Sequence, residues 1–248
     1  MVEKNKILKI NDLIFDNVLK NFNFEIDVSQ NSINSIICFD NSASSLLKIV
    51  GNAEENFKGE VTLNENLRAI YIPKNPSSLP WLSVEENIKF ILENSSYKEA
   101  VAQNQVQNLI DDVGLTGYEK HFPANNSLGF RFRISLAGTL ALKSSLILVD
   151  NSLKQMDEET KFELYDLLKK ISSKYNVSFL LASNDINEVI YLSENIYLMK
   201  AGNSKIIDKI NLKEEWQKLN KEGRGNRQLQ LKEKILHLFL QQDVNNIL

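Results

Sequence analysis

The sequence predicts an α/β fold with a parallel core sheet, and three stretches carry that prediction. Leu146 to Asp157, LILVDNSLKQMD, is a short run of branched apolar residues that ends in a carboxylate and breaks into a polar turn. Such a run reads as a strand buried on both faces, and its carboxyl end brings Asp150 to the sheet edge where open α/β folds bind ligands. Upstream, Ser127 to Leu142 is a helix-like run opened by a serine. Downstream, Asp157 precedes a helix and then a second apolar strand at Phe179 to Ala182. An acid at this edge usually holds Mg²⁺ against a phosphate, although a strand that simply stops at an aspartate is also common.

Composition bounds the rest. A chain of 248 residues, 43% of them hydrophobic, buries a sizeable core as one large domain or two closely joined lobes. A net charge of -3 and a pI near 5.6 argue against a general nucleic-acid binder, which presents a basic face. The one cysteine, Cys38, rules out an internal disulfide and, within INSIICF, reads as a small buried hydrophobe. No stretch reaches the roughly 18 apolar residues of a membrane span, so a cytoplasmic protein linked to a membrane only through partners is expected.

In chain order, Ile7 to Asn11, Phe22 to Asp27 and Ser35 to Phe39 have strand-like spacing, the last leading through DNSASS (40–45) into a helical LLKIVG. Glu60 to Asn64 and Ala69 to Pro73 are further strand candidates. Lys74 to Trp81, KNPSSLPW, is fixed as a loop by its prolines. Val84 to Leu92 and Tyr97 to Val113 read as helices, the second ended by Gly114. His121, in a polar loop, has no partner at metal-ligand spacing and reads as a solvated or capping residue. Glu159 to Ile171 is an amphipathic helix and Asn195 to Met199 a final strand. Asn211 to Glu222 and Arg227 to Leu240 are charged helices joined by GRGN, and Leu231, Ile235, Leu238 and Phe239 give the second an apolar stripe for packing on the parent domain.

Five motifs in order carry a resemblance. PWLSVEENI (80–88), SLGFRFR (127–133), LILVD (146–150), MD (156–157) and LLASNDINEVIYLSENIYLM (180–199) together resemble the ATP-binding subunit of an ABC transporter, most closely the nitrate, sulfonate and taurine importer branch. The resemblance covers roughly residues 7–240. It implies a P-loop NTPase-like parallel core sheet, an antiparallel N-terminal β part, an inserted helical lobe and C-terminal helices. On that pattern residues 1–86 and 143–210 form the core lobe, 87–142 the helical lobe and 211–248 a C-terminal extension.

The same resemblance shows that most catalytic positions are changed. A working phosphate loop, GxxxxGK[ST], uses glycines to expose backbone N–H groups and a lysine to reach the phosphates. Here Ile37 and Ser42 stand at the glycines, Ala43 at the lysine, and Ser44 at the magnesium-binding hydroxyl, with Ser45 beside it. Losing an ammonium about 4 Å from a phosphate forfeits about 4 kcal/mol at an effective dielectric near 20, and Asp40 adds repulsion. The helix N-terminus that follows still offers free N–H groups to an anion. Lys74 replaces a glutamine that reports on the γ-phosphate, Asn151 the glutamate general base, and Asn184 the switch histidine. An amide orients a water but takes no proton from it, and such a loss typically costs about 10²- to 10⁴-fold.

Other positions are kept. Asp150 stays as a magnesium candidate beside Ser44, and Phe15 as a candidate to stack on adenine, with ordinary core as the alternative. The signature segment appears as Asn126 to Phe130, retaining Ser127 and Gly129 but placing Leu128 where backbone should approach phosphate. Arg131 and Arg133 read as phosphate contacts, partner contacts or a salt-bridged surface, and Asp157 of the dimer-crossing loop is retained. Pro80, Trp81 and Leu82 match the branch's permease-docking pattern, with simple core as the other reading of Trp81.

Three functions follow as expectations. The preferred one is a non-enzymatic, catalytically degenerate subunit that requires no cofactor and keeps at most residual contacts to ATP and Mg²⁺. It would pair with a transmembrane permease subunit and form a homodimer, or a heterodimer with an intact ATPase. The alternatives are an active importer ATPase with unorthodox residues, taking up a small anion or sulfonate-like solute, and a soluble scaffold unrelated to transport.

Overall fold

The computed structural model describes residues 7–28, 31–64, 67–94, 103–123, 127–202, 205–218 and 224–244. Two sheets organise them. A three-stranded antiparallel sheet has the order β2-β1-β4, from β1 (Ile7–Phe15), β2 (Leu19–Asp27) and β4 (Lys58–Leu63). Alternating burial along β2 leaves that sheet with one buried and one wet face, as expected of antiparallel strands.

The six-stranded sheet runs β5-β6-β7-β3-β8-β9, from β3 (Ile33–Ile37), β5 (Ala69–Ile72), β6 (Leu146–Asp150), β7 (Ser178–Ser183), β8 (Asn195–Lys200) and β9 (Lys205–Asn211). All but the β8–β9 pair are parallel. Every residue of β3, β6 and β7 is buried, which explains why β6 and the centre of β7 read as continuous rather than alternating apolar runs. Helices cover both faces: α1 (Ser42–Val50) packs against the antiparallel sheet's core, while α5 (Glu158–Tyr175) and the helical region lie in a second cluster.

That helical region comprises α2 (Val84–Asn94), α3 (Gln103–Asp112) and α4 (Leu128–Ala141). The helix expected from Tyr97 is described only from Gln103, because residues 95–102 lie outside the described set, as does Asn126 of the signature segment. At the start of α2 the Ser83 hydroxyl accepts from Glu86 N–H and the Glu86 carboxylate accepts from Ser83 N–H, a capping box legible in the SVEE spacing. Gly114 closes α3 at φ +74, a conformation glycine adopts without strain.

The C-terminal part differs from expectation at several places. The sequence reading passed over β9 and α6 (Ile186–Leu192), and Asn211 ends a strand instead of opening a helix. β9 is largely half-exposed and alternates weakly, and α6 has only seven residues, so neither has a strong periodic signal. The charged helices are α7 (Leu212–Lys218) and α8 (Arg224–Val244), so Arg224 to Asn226 of the expected GRGN linker belong to the first turn of α8, and Gly223 lies outside the described residues. The apolar stripe of α8 packs as anticipated: Leu231 and Ile235 are buried with Ile186, Val189 and Leu198 in a third cluster.

Candidate functional site

Parallel strands bring their carboxyl ends to one edge, and the loops after β3, β5, β6 and β7 gather there. The loop at 38–41 turns from β3 into α1. Its Asp40 carboxylate accepts from Ser42 N–H at 2.8 Å, from Cys38 Sγ at 3.0 Å and from Gly202 N–H at 2.9 Å. Burial alone would raise the Asp40 pKa, but hydrogen bonds from Cys38, Ser42 and Gly202 outweigh it and hold the carboxyl below the usual range. One of the N–H groups at the helix N-terminus, that of Ser42, is thus already taken by the protein's own anion. Ala43 is buried in the core behind the loop, and Ser45 is buried with its N–H in the first helical bond.

Ser44 and Asp150 meet at the edge, where the Ser44 hydroxyl donates to Asp150 Oδ1. Asp150 Oδ2 accepts from the Tyr71 hydroxyl at 2.6 Å. Burial, then the hydrogen bond to the adjacent carboxylate, pushes the Tyr71 phenol well above its usual range, so it stays a donor. Sequence reading missed Tyr71. Its only signal was a polar tip within the AIYI strand next to LILVD, and the pairing of β5 with β6 makes that position count.

Asn151 follows in the left-handed region at φ 48, where asparagine is among the best-tolerated residues. Its Nδ2 reaches Ser44 Oγ at 3.5 Å, while its Oδ1 is buried without a hydrogen-bond partner. Lys74 is exposed on the loop after β5. Asn184 lies half-exposed at the β7–α6 junction. Phe15 ends β1 and is half-buried against the core of the antiparallel sheet, so most of its surface is already engaged.

The retained signature and crossing-loop residues are joined to each other. Ser127 caps α4, its Oγ accepting from Phe130 N–H at 3.3 Å, and Asp157 caps α5, accepting from Thr160 N–H at 2.9 Å and Thr160 Oγ1 at 2.8 Å. Thr160 also packs on Gly129, where an added Cβ would come within 2.6 Å of its Cγ2. Gly129 is thus required by helix packing, a constraint separate from any phosphate. Arg133 takes the salt-bridged reading, half-buried: it pairs with Glu163 at 3.0 Å and also donates to the Val113 carbonyl at 2.8 Å. The Arg131 Nε is buried without a hydrogen-bond partner.

The docking candidates sit beside α2. Asn87 donates to the carbonyls of Leu79, Leu82 and Ser83 and accepts from Leu79 N–H at 2.7 Å, holding the proline-rich loop closed. On that loop Pro80 is exposed, Leu82 half-buried and Trp81 69% exposed, which removes the simple-core reading of Trp81. The carbonyls of Glu119 and His121 accept from Glu85 and Val84 N–H, so His121 does act as a cap, through its backbone.

Chemically, the centre of this edge holds the Asp150 carboxylate with both oxygens engaged, the Ser44 and Tyr71 hydroxyls and the Asn151 amide. Ser44 and Asp150 fit a divalent cation in position, but the phosphate cradle fits poorly, since one of its donors, Ser42 N–H, is occupied by Asp40 and its lysine is an alanine. No group of three or more His, Cys, Asp or Glu suited to a metal occurs among the described residues.

No family model matches the chain. It is 31% identical over 156 residues to the aliphatic sulfonates import ATP-binding protein SsuB 2 of Pseudomonas syringae pv. tomato, covering 63% of this chain and 65% of that protein's length. Against the corresponding SsuB of Bacillus thuringiensis subsp. konkukian it is 30% identical over 190 residues, 74% of each chain. Among solved structures, cbiO1 of Clostridium perfringens, part of the ABC transporter complex cbiONQ, superposes with a TM-score of 0.70 at 18% identity, covering 86% of this chain and 92% of that one. A post-hydrolysis ATP-binding cassette dimer bound to ADP and phosphate gives 0.68 at 20% identity, covering 83% and 98%. The relatives it matches are named for sulfonate import, and fold, motif order and sequence agree that the chain belongs to the family of ATP-binding subunits of ABC transporters.

Proposed function

We propose that this chain is a non-hydrolysing subunit of an importer-like assembly, peripheral to the membrane, that holds a permease subunit beside a competent ATPase subunit. The observation that carries the proposal is the phosphate loop closed on Asp40, with Ala43 in place of the lysine. Asn151 and Asn184 support it, because neither amide accepts a proton from water at neutral pH. The relatives are named for importing aliphatic sulfonates, so a sulfonate-class solute is the cargo to test first.

Docking would use the face left open at Pro80, Trp81 and Leu82, with the loop held by Asn87. A short apolar helix of a permease fits such a face through shape and anchors, with no phosphate ligand needed. The purified protein is expected to show no ATP hydrolysis above a buffer blank. Turnover that disappears on Asp150→Ala, in a preparation free of contaminating ATPase, would overturn the non-hydrolysing reading. Trp81→Ala is expected to weaken permease binding by about 2 kcal/mol or more, as for interface hot spots. A folded Trp81→Ala protein, checked by circular dichroism, that co-purifies with the permease at wild-type yield overturns the docking reading.

A second reading has its own observation. Ser44 and Asp150 remain in contact as a magnesium-binding pair would, which favours an active ATPase with unorthodox residues; the same hydrolysis assay separates the two.

A further inference from the structure

At the opposite edge of the core sheet from Asp150, a cavity of about 480 Å³ opens between the helical region and the sheet. Leu109 of α3, Leu140 and Ala141 of α4, and Val177 ahead of β7 form its buried apolar wall. The helix ends that frame it are turned by left-handed residues, Lys143 at φ 53 after α4 and Asn176 at φ 54 after α5. Both turns lead directly into strands, so the cavity lies at the amino ends of β6 and β7. Asp150 closes β6 five residues after Ser145, about 16 Å away at the rise of a parallel strand.

The wall states what would fill it. Among the described residues it holds no carboxylate, and its cation, Lys143, is exposed and already engaged. A charged guest would give up hydration and find no opposite charge. Polar groups without partners are present, however. The Ser144 hydroxyl is buried with none, and the exposed amides of Gln105 and Asn108 make no side-chain hydrogen bond among the described residues. Ser145 is satisfied, its Oγ accepting from Arg68 N–H at 2.7 Å. Tyr175, whose hydroxyl donates to Asp112, sets an aromatic ring at the rim. The volume suits one small ligand and far exceeds the share of about 30 Å³ that a water takes in the liquid.

We infer that this cavity binds a small, uncharged aromatic molecule carrying one hydrogen-bonding group, a hydroxyl or an amide. The ring lies on the apolar wall beside Tyr175. Ser144 turns about its χ1 torsion to meet the polar group, which relieves a buried hydroxyl of its missing partner. Because α3 belongs to the helical region while Ser145 and Val177 lead into the core strands, a bound molecule ties the two together. The site uses no nucleotide contact and stands whether or not the chain hydrolyses ATP.

The test is titration of the full chain with benzyl alcohol and with benzamide, followed by methyl NMR and melting temperature, with toluene and benzoate for comparison. Both polar probes are expected to give saturable shifts of the Leu109, Leu140 and Val177 methyls and a rise in melting temperature. Toluene, which has no hydrogen-bonding group, and benzoate, which is charged, are expected to bind about tenfold more weakly or worse. Ser144→Ala is expected to weaken both polar probes about tenfold and to leave toluene unchanged. It removes only an unpaired hydroxyl, so its melting temperature without ligand is expected not to fall. Ala141→Leu fills the cavity and is expected to abolish binding of every probe. Three results each overturn the inference: no saturable binding, as a cavity holding water alone would give; toluene or benzoate matching the polar probes; or wild-type affinity for those probes in Ser144→Ala or in a folded Ala141→Leu protein.

Discussion

Asp40 partly satisfies a phosphate loop from within, because its carboxylate accepts from Ser42 N–H, one of the donors a nucleotide would use. Restoring the lysine alone should therefore change little. Ala43→Lys is expected to leave ATP binding undetectable by calorimetry, while Ala43→Lys combined with Asp40→Gly and Ser42→Gly binds measurably. Micromolar ATP binding by the unaltered protein would contradict this. The neighbouring Cys38 thiol, pushed up to about 12 by burial and then by its hydrogen bond to Asp40, is expected to resist alkylation in the native state. Glu188 gives a pH signature. It is buried between α5 and α6, and burial raises its pKa to about 7 despite help from Ser183 and Lys161. The folded state thus holds a proton that the unfolded chain releases from about 4.5 upward, so stability falls as pH rises through that window. Urea unfolding at pH 5 and pH 8 should show the decline, and Glu188→Gln should flatten it.

At the scale of elements, small residues at contacts decide how helices sit. Gly129→Ala drives a methyl into Thr160 at the meeting of α4 and α5, and the expected cost is about 1–3 kcal/mol, read as a lower melting temperature. Glycine in a signature segment is thus explained twice, by packing in this chain and by phosphate approach in the family pattern. Asn87 plays the corresponding part for the docking loop. Asn87→Ala removes the side chain that satisfies three carbonyls and one N–H of the loop. It is expected to cost about 1–3 kcal/mol of stability, because buried groups lose their partners. Permease capture should fall with it, as the Trp81 loop loses its support.

Across the whole molecule, α8 closes the fold from the C-terminal side. Leu231 and Ile235 bury against α6 and β8, and Phe239 reaches the loop at Phe39. Ile235→Ala, at a fully buried position, is expected to destabilise by about 2–5 kcal/mol. If α8 is an integral part of the core, near-UV signals from the core and far-UV helix content should be lost in one transition. Two separated transitions would make α8 an independent appendage. None of the described helices is long and apolar enough to cross a membrane.

The sequence by itself determined the parallel core. Continuous apolar runs at Leu146 to Asp150 and Phe179 to Ala182 are buried on both faces, and burial on both faces demands apolar side chains at every position. It also determined the family, because motif order survives where individual residues have changed. Local spacing further marked the proline loop, the Ser127 cap and the stripe of α8. Tertiary structure alone decided what the altered residues do. Nothing in DNSASS says that Asp40 reaches Gly202 across 162 positions, or that Tyr71 finds Asp150 one strand away. Such contacts depend on which loops the sheet order brings to one edge. Lys154 and Lys232, ordinary surface lysines in the sequence, share a cleft only because α8 folds back over the carboxyl ends of the strands.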